Sequence, residues 1–103
     1  MTKTAQRIAT AFQRGERLKI KATSTDGQNV WYHGHNIAWR ASDGAVLASM
    51  CGWGTVTTRD RLNAIVWTIA PWTGGFSQRN HEQYFRDQPI SSHDTIVLKG
   101  PDQ

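Results

Sequence analysis

The sequence predicts an α+β fold: an antiparallel sheet of four to five strands, a central amphipathic helix packed on one face, and an N-terminal helix alongside. Three observations lead there. Leu62, Ile65, Val66 and Ile69 fall at i, i+3, i+4 and i+7, an apolar stripe that needs a surface to bury it. Short alternating segments between Arg17 and Met50 are separated by the turn signals Ser24-Thr25-Asp26-Gly27 and Ser42-Asp43-Gly44, which is how an antiparallel meander is written. A chain of 103 residues with 38% hydrophobic content supports one core, so a single domain over residues 1–103 is expected.

The elements follow in order. Thr2 to Arg14 reads as the first helix, with Ala5, Ile8, Ala9 and Phe12 on one side and Gly15 at the left-handed position that ends many helices. Arg17 to Ala22 has the strand period, Leu18, Ile20 and Ala22 opposite a purely cationic Arg17, Lys19 and Lys21. Gln28 to Tyr32, Asn36 to Arg40 (Ile37 and Trp39 facing the same way) and Ala45 to Met50 supply the next strands. Gly52 and Gly54 turn the chain into the central helix, and Trp53 is expected to plug one end of the core.

That helix is predicted over Thr57 to Ala70, with Thr57 and Asp60 as a capping-box variant and Pro71 as its stop. Trp72 to Phe76 reads as an irregular loop carrying two large aromatics. Asn80 with Gln83 suggests a cap for a short third helix over His81 to Arg86, ended by Pro89. Thr95 to Lys99 is a final strand, and Gly100 and Pro101 begin a polar tail.

Charge is unevenly spread. Met1 to Lys21 holds six basic residues against Glu16, a balance of +5, whereas Ala22 to Gln103 holds six against seven, or −1. A localised positive field attracts phosphates or an acidic protein surface, or keeps the chain soluble. No apolar run approaches the roughly 18 residues of a membrane span, and the N-terminus lacks a signal peptide's apolar core, so a cytoplasmic setting is expected. The lone Cys51 excludes an intramolecular disulfide.

Catalytic readings find little support. His33 and His35 with Cys51 and His81 or His93 offer zinc-type donors, but only one close pair exists and a glycine in a turn splits it. Cys51 with a histidine and Asp94 lacks any local feature that enforces a triad, and His81-Glu82 and His93-Asp94 are sequence neighbours that point apart. Gly52-Trp53-Gly54-Thr55 has neither the lysine of a P-loop nor the third glycine of a dinucleotide site. The expectation is a non-enzyme without metal or cofactor.

Two binding readings remain open. In the first, Trp72 and Phe76 anchor a protein partner, with Arg79 and Arg86 at the rim, unless the two rings fold back over the core. In the second, Arg17, Lys19 and Lys21, supplemented by Arg59 and Arg61, track nucleic-acid phosphates while Trp31, Tyr32, Trp72 or Phe76 stack on bases. Most tryptophans sit at periods that suit a core, which weighs against the second. A homodimer is compatible with either.

From Ser49 to Asn63, the run Gly-Trp-Gly-Thr-Val-Thr-Thr-Arg-Asp-Arg-Leu-Asn resembles a strand-turn-helix pattern of small tailed-bacteriophage proteins. There, a short strand pair precedes a Gly-aromatic turn and a Thr-Thr helix start. The resemblance covers about a third of the chain. It implies a phage product acting in a bacterial cytoplasm, where such small accessory proteins often bind a host enzyme or defence complex and occasionally nucleic acid, and it brings no functional residues.

Overall fold

In the computed structural model, which describes residues 1–101 apart from the Thr73 side chain, the chain forms two α-helices and two antiparallel sheets. The six-stranded sheet has the order β1-β2-β3-β4-β5-β9, with β1 Leu18–Ile20, β2 Thr23–Thr25, β3 Asn29–Tyr32, β4 His35–Arg40, β5 Val46–Ala48 and β9 Ile96–Lys99. A separate three-stranded sheet contains β6 Phe76–Arg79, β7 Glu82–Phe85 and β8 Gln88–Ile90. The expected α+β class, with an antiparallel sheet and two helices, is what the chain adopts. The tail beyond Pro101 lies outside the described residues.

Helix α1 (Lys3–Arg14) starts where Thr2 accepts from the Ala5 N–H, and ends at Gly15 with φ 71°. Its inner side buries Ala5, Ile8, Ala9 and Phe12, the stripe read from the sequence. Helix α2 (Val56–Ile69) is capped by Thr55, whose hydroxyl accepts from the Thr58 N–H, rather than by Thr57. Asp60 does not cap either: its carboxylate accepts from the backbone N–H (3.1 Å) and hydroxyl (2.7 Å) of Thr2, tying the two helices together. A second tie runs from the Gln13 amide to the Thr68 carbonyl, so both helices run in the same direction. The most extensive backbone contact of α2 is therefore with α1 rather than with a sheet. Leu62, Ile65 and Val66 are buried and Ile69 is half-buried against the same core as Val30, Ile37, Val46 and Leu98.

Several local expectations are corrected. The segment Arg17–Ala22 is not one strand, because Lys21 adopts φ 54° and reverses the chain between β1 and β2. The turn then falls at Asp26, whose carboxylate accepts from the N–H groups of Gln28 and Asn29, both at 2.8 Å. Ile37 and Trp39 do not face the same way: a bulge pairs Val30 with Ala38 and Trp31 with Asn36, leaving Ile37 unpaired and driven into the core. Trp53 does not plug the core. Cys51 (φ 54°) and Gly52 (φ 83°) turn the chain so that Met50 fills the interior, while Trp53 is 53% exposed against His35.

The predicted helix over His81 to Arg86 is instead β7, the central strand of the small sheet, with one turn residue at each end. A six-residue helix has too few hydrogen bonds to offset its nucleation cost, whereas alternation places Gln83 and Phe85 inward and Glu82 and Tyr84 outward. Two-residue turns at Asn80-His81 and Arg86-Asp87, all four at positive φ, match the twist of the flanking strands.

Candidate functional site

The end of α2 and the 3-10 turn Pro71–Thr73 that follows it form an apolar platform. Trp67 is five residues beyond Leu62, hence about 140° around the helix from it, off the buried stripe and 66% exposed. Trp72, held out by Pro71, is 73% exposed, and Met1 adds a third exposed apolar side chain. Beside Trp67 and Met1 lies a depression of about 250 Å³, lined by these two and by Asn63, Val66, Pro71 and the Gly74-Gly75 backbone. Asn63 sets its floor: its carbonyl oxygen accepts from the Phe76 N–H at 2.7 Å, and its amide donates to the Phe76 carbonyl at 3.0 Å. This pair of hydrogen bonds fixes the loop between Pro71 and β6 to the helix.

Of the expected protein-binding residues, Trp72 is on this platform and Phe76 is not. Phe76 is buried, its ring 4.7 Å from that of Phe85. Arg86 is exposed beside Gly74, where its side chain can border the platform. Arg79 stacks over Tyr84 at 4.1 Å and reaches Asp87 at 3.6 Å, on the outer side of the hairpin. The same Tyr84 donates its hydroxyl to Glu82, and this bond, with burial and the nearby Glu82 charge adding to it, raises the phenol pKa. Trp67 is the residue that the sequence reading leaves out, although its angular offset from the apolar stripe carries the signal.

The expected nucleic-acid set divides. Arg17, Lys19 and Lys21 are all exposed around the edge strand β1. Arg59 and Arg61 are internal struts. Arg59 donates to the Gly54 carbonyl and to the side-chain oxygens of Gln78 (2.7 Å) and Gln83 (3.1 Å), joining α2 to the small sheet. Arg61 donates to the hydroxyls of Thr23 and Thr2 and pairs with Asp60 at 2.8 Å, with Tyr32 below its guanidinium. Burial raises the Asp60 pKa, but the two Thr2 hydrogen bonds, Arg61 and the N-terminal charge outweigh it, so the carboxyl stays below its ordinary value.

A second set of cations lies on α1. Lys3, Arg7 and Arg14 share one outward side and line, with Gln6, Thr10 and Glu16, an open groove of about 720 Å³. The histidines and Cys51 do not converge: among the described residues, no group of three or more His, Cys, Asp or Glu side chains is placed to hold a metal ion. The Cys51 thiol points at the Asn36 carbonyl, 3.2 Å away. No helix among the described residues is long and apolar enough to cross a membrane.

None of the five tryptophans is buried, which reverses the expectation that most of them belong to the core. Trp31 and Trp39 are half-buried on the six-stranded sheet, and Trp53, Trp67 and Trp72 are exposed. Aromatic surface of this kind is costly to leave in water and is typical of places where another molecule sits.

No curated protein and no solved structure matches the chain. A family model does, over residues 1–98, and it is that of the Kyanoviridae Gp96 protein. Kyanoviridae are tailed phages, so the phage origin implied by the Ser49-to-Asn63 resemblance stands, although the match does not show the motif itself. With nearly its whole length matched, the chain belongs to the Kyanoviridae Gp96 protein family.

Proposed function

We propose that this phage protein is a non-enzymatic accessory factor that acts in the host cytoplasm and modulates a host or defence protein complex by occupying a surface on it. The observation that carries the reading is the pair of exposed indoles at the end of α2, Trp67 lining an apolar depression anchored by Asn63 and Trp72 following Pro71 in its wall. Tryptophan is enriched among residues that dominate binding energy, and a rigid floor lowers the entropy lost on docking. Arg86, at the border, suits a carboxylate on the partner's rim.

The test is affinity capture from nuclease-treated host lysate with the wild-type chain and with Trp67→Ala/Trp72→Ala, combined with sedimentation of each protein alone. A defined host protein retained by the wild type and lost from the double variant, with both chains equally folded, supports the reading. Equal capture by both removes it. Concentration-dependent dimers of the wild type that vanish in the variant assign the platform to a second copy instead.

A further inference from the structure

The helices cover one side of the six-stranded sheet, the side of Val30, Ala38, Val46 and Leu98. Alternation sends the intervening residues to the opposite face, where none of Lys19, Trp31, Trp39, Leu47 and Val97 is buried. The register orders them in two rows. Lys19 stands opposite Ser24, and Ser24 opposite Trp31. Asn29 stands opposite Trp39, Trp39 opposite Leu47, and Leu47 opposite Val97.

Trp31 is two residues from Asn29, the partner of Trp39, so the two indoles are diagonal neighbours across β3 and β4 on either side of the bulge. Among the ring contacts of the described residues none joins them, so the two half-buried indoles do not stack on one another. The side-chain amides of Asn29 and Asn36 meet at 3.1 Å in the same area and add polar contacts.

The cations flank this face. Arg17, Lys19 and Lys21 are exposed on and beside the edge strand, and no carboxylate pairs with any of them among the described residues. The carboxylate of the turn between β2 and β3, Asp26, is already held by two backbone N–H groups and by the Asn29 amide. An occupant must therefore offer flat rings and a row of negative charge together. Single-stranded nucleic acid has both, whereas a duplex hides its base faces and an acidic peptide supplies charge without the rings.

We infer that the open face of the six-stranded sheet binds single-stranded nucleic acid, its bases stacking on Trp31 and Trp39 and its phosphates running along Arg17, Lys19 and Lys21. The contacts are to rings and backbone, so sequence preference is weak. This site is separate from the Trp67–Trp72 platform and stands or falls independently of it.

The experiment is fluorescence anisotropy of a labelled oligothymidylate of about 15 nucleotides, a length that fills a site of this size, titrated at several salt concentrations. Three phosphate contacts predict a slope of about −2 in log K against log salt. Trp31→Ala and Trp39→Ala should each weaken binding roughly five- to hundredfold, while Trp31→Phe and Trp39→Phe restore most of it because a ring remains. Lys19→Glu, at an exposed position that leaves folding intact, should weaken binding and flatten the slope by about 0.7. Thermal melts identify any alanine variant that fails to fold, in which case the phenylalanine and Lys19→Glu variants decide.

Absence of binding at about 50 mM salt overturns the inference, since the electrostatic part is strongest there. So does tighter binding of a duplex of equal length, displacement of the strand by polyglutamate at equal charge, or loss of binding with Arg7→Glu/Arg14→Glu but not with the Lys19 and tryptophan variants. That last result would move the anion site to the groove on α1.

Discussion

Trp72 and Phe76 are separated by four positions in one loop-to-strand segment, yet truncating them should have opposite consequences. Phe76 is 5% exposed and packs on Phe85 with ring centroids 4.7 Å apart, and its backbone is clamped by Asn63. Removing a buried phenylalanine ring costs about 3–5 kcal/mol, including the cavity and the lost aromatic pair. A domain of this size has a stability of about 5–15 kcal/mol, so Phe76→Ala removes roughly a fifth or more of it. At about 4–8 °C per kcal/mol, the melting midpoint should fall by roughly 12–40 °C. Trp72, 73% exposed, should change stability by no more than about 0.5 kcal/mol when replaced by alanine. Urea denaturation followed by far-UV circular dichroism measures both, with the m-value checking that the unfolding reaction is unchanged. A loss below about 1 kcal/mol for Phe76→Ala, or above about 2 kcal/mol for Trp72→Ala, would refute the division of this segment into a core ring and a surface ring.

Gly27 has φ 90°, and a β-carbon there would lie 2.4 Å from the Gly15 carbonyl carbon; Gly27→Ala should therefore cost about 2–4 kcal/mol in the same denaturation assay. The Arg86-Asp87 turn puts two non-glycine residues at φ 53° and 65°, so Asp87→Gly should raise stability by roughly 0.5–1 kcal/mol, because the Arg79–Asp87 pair it removes is exposed and weak. Asp60 has a depressed pKa in the folded chain, so its contribution is present above the ordinary carboxyl range and is lost as pH falls through the folded value. Stability measured from pH 6 down to about 2 should decline less steeply in Asp60→Asn than in the wild type, from a lower starting point; parallel curves would show that Asp60 does not couple the helices to pH.

The parts of the fold legible in the sequence are those in which a local signal and the tertiary environment agree. Helix α1 is one: the Thr2 cap, the Ala5–Phe12 stripe and Gly15 all specify the same element, and the structure adopts it. The stripe of α2 is legible too, but its partner is not, because nothing local reveals that Asp60 and Thr2 will bond across 58 positions. The small sheet escapes for a different reason. Glu82–Phe85 is short, its turns use Asn80-His81 and Arg86-Asp87 instead of a glycine, and its pattern is equally compatible with one turn of helix.

The tryptophans show how the site eludes such reading. Hydrophobicity argues that an indole belongs inside, and for Trp39 the strand period agrees, since it shares parity with Ile37. The bulge at Ile37 inverts that parity, so Ile37 joins the core while Trp39 goes to the uncovered face beside Trp31. Trp67 is displaced by its angle on α2, and Trp53 by the reversal at Cys51-Gly52. Meanwhile Ile8, Phe12, Ile37, Met50, Leu62 and Ile65 fill the interior, and the core closes without a single indole. A fold that packs its core with aliphatic and phenyl groups has no structural need for five tryptophans on or near its surface, and that surplus is the reason to look for binding at both the α2 platform and the open sheet. If the platform and sheet variants together abolish every interaction while melting like the wild type, the tryptophans serve contact alone; if they melt far lower, burial that is only partial still holds this fold together.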